Sequence, residues 1–315
     1  MKKQLIIVSM FIAVALFAGF GIADAVSNLN EPGSILKMPL IDNINYTTII
    51  DIANLGTVSV VLECQTVTHG TTTPPEGTSK MDQKADFVIK LSPKEKFWWS
   101  TNTDYSRINA DGDLVEISSL AARKGYMYCF AVDSALTRLE IAYNNLKGDV
   151  VIYGGGKAFG YNMIPSQAIA VVGDRVLNQD DAEYTAPTSR IMFEGFTSGT
   201  FGLTGTLAVA NIGVDYVLSI QPEFDINYNC YNENEIWRSR HTHYIDFEQY
   251  ELSNLSGLNL KSNMGKVFQC TADAGGNALE AIFFQTASNL AFGGNVWQDP
   301  NYPAPTKTIL PPVTN

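Results

Sequence analysis

The chain is short of positive charge, of histidine and of cysteine. It carries 21 Lys and Arg against 32 Asp and Glu, with three histidines and four cysteines. An acidic surface repels phosphate backbones and anionic lipid, so no nucleic-acid partner is expected. His69, His241 and His243 are the only imidazoles, which leaves few bases for a Ser-His-Asp triad. No G-x-S-x-G elbow occurs. Gly154-Gly-Gly156 lacks the spacing of a dinucleotide loop. No catalytic residue is assigned, and the reading leans away from an enzyme. The cysteines include no C-x-x-C pair, which argues against zinc. Beyond residue 21 no apolar run is long enough to span a membrane.

The N-terminus is richer in signal. Lys2 and Lys3 precede an apolar run from Leu5 to Gly21, and Ala23-Asp24-Ala25 supplies the small-x-small pattern of a signal-peptidase site. Residues 1–25 therefore read as a cleavable signal peptide, with no membrane anchor left after cleavage. Removal takes away Lys2, Lys3 and Asp24, leaving 19 basic against 31 acidic residues. The expected location is secreted or periplasmic, including the cell surface. In such an oxidising compartment Cys64, Cys129, Cys230 and Cys270 should pair. Of the three connectivities, Cys64–Cys129 with Cys230–Cys270 keeps each bridge within one expected domain.

Short β-branched and aromatic runs alternate with Gly, Asn, Asp and Pro clusters along the rest of the chain. The expected class is all-β, with two β-sandwich-like lobes after the signal peptide. The expected division is a first lobe at 26–172, a linker at 173–199, a second lobe at 200–298 and a Pro-rich tail at 299–315. Leu136–Leu146 is the one stretch with a helical pattern, although a strand and turn fit it as well. There are signs of a divergent internal duplication. Ile52-Ala-Asn-Leu-Gly56 matches Val209-Ala-Asn-Ile-Gly213, and Gly125-Tyr-Met-Tyr-Cys129 loosely matches Lys266-Val-Phe-Gln-Cys270. Cys64 lacks a counterpart at the first of these offsets, where Gln221 stands.

Three local patterns are candidate binding elements. Asn109, Asp111 and Asp113 place oxygens at alternating positions around Gly112, as calcium loops do. An Asp-Gly hairpin turn needs no metal, and no other cofactor is expected. Phe97-Trp98-Trp99 offers Trp98 and Trp99 as stacking surfaces for a sugar, if both are exposed; core packing is the competing role. His241 and His243 would share one face of a strand, within reach of a metal or as the base of a hydrolase.

Three further stretches are Gly125-Tyr-Met-Tyr-Cys129-Phe-Ala-Val-Asp133 with Asn145-Leu-Lys-Gly148 and Tyr161-Asn162, then Ala182-Glu-Tyr184 before Pro187, then Asn232-Glu-Asn-Glu235 ahead of Leu252-Ser-Asn254. Together they resemble a group of exported bacterial proteins with no assigned activity. The resemblance implies an exported, β-rich protein and carries no function to any residue. The expected function is a non-enzymatic surface or extracellular protein acting by binding or assembly, with a protein or glycan partner. The alternatives are a carbohydrate- or calcium-binding module and a secreted hydrolase.

Overall fold

A computed structural model describes residues 30–70, 83–108, 114–170, 177–178, 183–196, 203–210, 223–245, 247–251, 267–275, 278–287, 291–298 and 309–310. No helix occurs among them, and Leu136–Leu146 forms turns, a bridge at Glu140 and the first residue of a strand. The first lobe holds β1 (Ile35–Asp42), β2 (Thr47–Asn54), β3 (Val60–His69), β4 (Gln83–Leu91), β5 (Lys96–Ser100), β6 (Tyr105–Ile108), β7 (Leu114–Ile117), β8 (Lys124–Val132), β9 (Leu146–Gly154), β10 (Lys157–Asn162) and β11 (Ile164–Ser166). A short β12 (Leu177–Asn178) follows. The second lobe holds β13 (Arg190–Phe196), β14 (Thr204–Ala210), β15 (Glu223–Asn232), β16 (Trp237–Ile245), β17 (Phe247–Glu251), β18 (Val267–Asp273), β19 (Glu280–Thr286), β20 (Ala291–Asn295) and β21 (Trp297–Gln298). Within the expected tail, β22 (Ile309–Leu310) pairs with β12.

Each lobe pairs a five-stranded sheet with a four-stranded one. The first lobe runs β11-β1-β8-β3-β4 and β10-β9-β2-β5. The second runs β21-β13-β18-β15-β16 and β20-β19-β14-β17. The two strand orders coincide element by element: β13 takes the place of β1, β14 of β2, β15 of β3, and so on to β21 for β11. The same fold is thus built twice, and both disulfides sit at the same place in it. Cys64 of β3 lies directly opposite Cys129 of β8, and Cys230 of β15 directly opposite Cys270 of β18. Cys230 is therefore the counterpart of Cys64. Sequence matching at a fixed offset misses it because the β2–β3 link is short (55–59) and the β14–β15 link long (211–222).

The linker expected at 173–199 needs correction. Its last third contains β13, an inner strand of the second five-stranded sheet. Ile191–Phe196 reads as a strand in the sequence, so it is the start of the second lobe, not the strand, that is misplaced. A Cβ at Gly195 would lie 2.7 Å from Gln285 Oε1 and 2.8 Å from a Phe283 ring carbon, so glycine is needed where β13 runs over the second core.

Alternation sets what faces inward. In the first lobe the core holds Leu36, Met38, Ile50, Ile52, Leu62, Cys64, Phe97, Trp99, Cys129, Val150 and Ile152, drawn from both sheets. Phe87 and Trp99 meet edge to face across it, with centroids 6.0 Å apart. In the second lobe Phe193, Phe268 and Phe283 meet, with Phe193 and Phe283 centroids 5.1 Å apart. Gly125 of β8 is a tight point: a Cβ there would come within 2.0 Å of Val67 O on the neighbouring strand. Gly125→Ala should cost about 3 kcal/mol, the upper range for overpacking. A denaturation midpoint unchanged from the parent would refute this.

The lobes share apolar surface. Ala208 and Ala210 of β14, with Ile282 and Phe284 of β19, belong to the first lobe's core, whereas Leu207, Val209, Ala281 and Phe283 belong to the second's. The inner strands of the second lobe's four-stranded sheet, β14 and β19, are thus buried on both faces. The outer face of this sheet lies against β1 and β10, where Phe159 stacks on Phe284 at 4.2 Å between centroids. The small side chains Ala208 and Ala210 let β1 approach closely. At this junction Lys37 of β1 and Glu280 of β19 form an ion pair, with both side chains fully buried.

Candidate binding surface

In both five-stranded sheets the disulfide row points into the sandwich, so the residues beside each cysteine point out. In the first lobe this outer face is closed over β1, β8 and β3, with Asp86 exposed at the β4 edge. Ile35, Lys37, Glu63, Gln65, Val67, Tyr128 and Phe130 are all buried there. Tyr128 Oη donates to Gln65 Oε1, Gln65 Nε2 donates to Glu63 Oε1, and Lys37 reaches Glu280. These bonds supply partners to polar groups taken out of water.

In the second lobe the equivalent face is open. One row across it reads Trp237, Tyr231, Gln269, Glu194, each directly opposite the next. The adjacent row reads Ser239, Asn229, Thr271, Met192, Trp297. Trp297 is 73% exposed, and Tyr231 and Trp237 are each 51% exposed. A third row ends in a local ion pair, Arg190 Nε to Asp273 Oδ2 at 3.0 Å.

At one end of this face the sheet opens into a cleft of about 730 Å³. Glu194, Tyr231, Glu233, Gln269 and Trp297 line its rim, and Phe193, Phe268 and Phe283 reach it from the core. Its walls are fixed by backbone bonds. Gln285 grips Phe196, accepting from its N–H at 2.8 Å and donating to its C=O at 2.7 Å. Glu233 Oε2 accepts the Val267 N–H at 3.1 Å, and Asn232 Oδ1 accepts from the N–H groups of Asn234 and Ile236, shaping the β15–β16 turn.

The residues singled out from sequence fall elsewhere. Asn109, Asp111 and Asp113 lie outside the described residues, as do residues 1–25. Trp98 and Trp99 are not exposed together. Strand alternation turns Phe97 and Trp99 into the core, with Trp99 fully buried, and leaves Trp98 61% exposed. A two-tryptophan sugar platform is therefore not formed there. Trp98 stands instead on the outer face of the first four-stranded sheet, opposite Asp51, which in turn faces Asp149. Lys96 bonds Asp51 at 2.7 Å; that bond, with Asp51 and Asp149 nearby, holds its ammonium pKa above the usual lysine value. His241 lies on β16 with Nδ1 2.8 Å from Asn227 Oδ1, and His243 follows opposite Asp225. Among the described residues no group of three His, Cys, Asp or Glu is placed to hold a metal, and no helix is long and apolar enough to cross a membrane.

Comparison with protein-family models and with curated proteins finds no match to this chain. The open face is the element that sequence reasoning missed. Tyr231, Gln269 and Glu194 are scattered over three strands, and only the sheet register brings them into one row.

Proposed function

We propose that this is an exported, non-enzymatic protein that acts by binding, and that the outer face of the second five-stranded sheet is its binding surface. One observation carries the reading. The same face exists twice in the molecule, and where the first lobe buries it over β1, β8 and β3 the second leaves it open, with aromatic side chains at both edges and a cleft at one end. Exposed aromatics around a depression supply apolar contact with little side-chain entropy to lose. The signal-like N-terminus and two disulfides support placement outside the cytoplasm.

Oxidative footprinting tests this. Labelling of Tyr231 and Trp297 should slow, either as the concentration of the chain itself rises or on addition of soluble glucan, chitin or xylan oligosaccharides. Leu114 and Ile108, exposed elsewhere, should label at a constant rate. If Tyr231 and Trp297 label at the same rate under every condition, the surface is not a binding site. The exposed Trp297 beside Gln269 and Thr271 is also what a sugar-binding face offers, so shielding by an oligosaccharide alone identifies a glycan ligand.

A further inference from the structure

We infer that the partner of the open face is a second copy of this chain, joined head to tail. The inference rests on the reading that this face binds. Within the chain, β1 on the outer face of the first five-stranded sheet, with β10 at the edge of the first four-stranded sheet, receives the outer face of the second four-stranded sheet. Because the two lobes share one topology, the molecule is left with the complementary halves of the same junction unused: the outer face of the second five-stranded sheet, and the outer face of the first four-stranded sheet. A next copy placed as the second lobe is placed on the first would bring these two together.

The charges agree. Lys37 stands opposite Tyr128, the residue before Cys129, and Glu194 stands opposite Gln269, the residue before Cys270. Glu194 is therefore the counterpart of Lys37. Glu280 stands opposite Ala210, and Lys147 stands opposite Ala53. Ala210 and Ala53 hold the same place in the repeated Val209-Ala-Asn-Ile-Gly213 and Ile52-Ala-Asn-Leu-Gly56. Lys147 is therefore the counterpart of Glu280. The internal junction is closed by Lys37 with Glu280, and the corresponding pair between copies is Glu194 with Lys147. The signs are reversed on both partners, so complementarity is retained. Glu194 lines the cleft, and both Glu194 and Lys147 are exposed in the single chain.

The apolar surface agrees as well. Of the 14 exposed large hydrophobic side chains among the described residues, seven lie on these two faces: Trp98, Val151 and Tyr153 on one, Tyr231, Trp237, Val267 and Trp297 on the other. Because the two faces differ, the contact is heterologous, and it propagates into an open chain or closes into a ring according to its rotation.

The test is a charge exchange in trans, read by sedimentation velocity on the full exported chain. The parent chain should associate reversibly beyond a dimer. Glu194→Lys and Lys147→Glu should each raise the concentration needed for association by at least about tenfold, since like charges then meet at the junction. An equimolar mixture of the two variants should recover assembly, because each then offers the end the other lacks. Both positions are exposed, so both variants should fold, and matching denaturation midpoints check this. A parent chain that stays monomeric overturns the inference, and so does a mixture that assembles no better than either variant alone. If the chain is monomeric while an oligosaccharide shields Tyr231 and Trp297, self-assembly falls and the binding reading stands. If nothing shields them, both fall.

Discussion

Lys37→Met should lower the unfolding free energy by about 3–5 kcal/mol, the cost of leaving one member of a buried ion pair without its partner. Lys37 and Glu280 are both fully buried where the lobes meet. Gln298 Nε2 donates to the second Glu280 oxygen at 3.0 Å, so the carboxylate is held on both sides. Without Lys37 that carboxylate would keep its desolvation cost and lose the opposing charge. The double variant Lys37→Met with Glu280→Leu should recover most of the loss, because apolar side chains of similar volume need no compensation there. Denaturant unfolding of the parent, the single variant and the double variant measures this. Equal losses in the single and double variants would show that packing, not charge, holds the junction.

The same variant has a pH signature. Burial already pushes the Glu280 carboxyl above the usual carboxylate range, with Lys37 opposing the shift. Removing Lys37 removes the opposition, so the folded-state value rises further. A carboxyl raised above its unfolded value gives stability that is present below the unfolded value and lost as pH rises through the folded one. The penalty of Lys37→Met should therefore be small near about pH 4, where the unfolded carboxyl also takes up a proton, and grow as pH rises from there. A penalty that does not change with pH would mean that Glu280 is neutral throughout.

Replacing either cysteine pair by alanine should cost about 4 kcal/mol. The bridges span sequence separations of 65 and 40 residues, and the chain-entropy model depends only on the logarithm of that length. The two losses should then agree to within about half a kcal/mol. Each bridge links strands already paired in register, so the folded lobe keeps its contacts and the effect falls on the unfolded chain. Thermal unfolding of Cys64→Ala/Cys129→Ala and Cys230→Ala/Cys270→Ala measures both. A loss under about 1 kcal/mol for either pair would contradict the entropic account.

Much of the fold is legible in the sequence, for reasons that particular residues make clear. The all-β class follows from alternation in stretches such as Thr47–Asn54, where every second side chain is buried. The disulfide pairing follows from the spacing of four cysteines over two lobes. The Ala-Asn-Leu-Gly and Ala-Asn-Ile-Gly repeat marks β2 and β14, which occupy the same place in the two lobes. Other elements are hidden. β15 carries Asp225, Asn227 and Asn229 on its outer face, and this composition reads as turns until the buried Ile226, Tyr228 and Cys230 between them are seen in register. β13 is legible as a strand at Ile191–Phe196, but its place inside the second five-stranded sheet shows only in the register. The candidate surface is least legible of all. Trp98 and Trp99 look like a pair because they are adjacent, yet adjacency in a strand sends them to opposite faces. Glu194 and Lys147 become meaningful only once both lobes are superposed strand by strand.

The two bridges join cysteines that are consecutive along the chain, the first with the second and the third with the fourth. A chain threaded through a membrane with its N-terminus leading presents Cys64 and Cys129 before Cys230 emerges. At each stage the only free thiol available to a newly arrived second cysteine is its native mate. Oxidation during translocation then gives the correct bonds in order of arrival, with no wrong pairing to be undone by an isomerase.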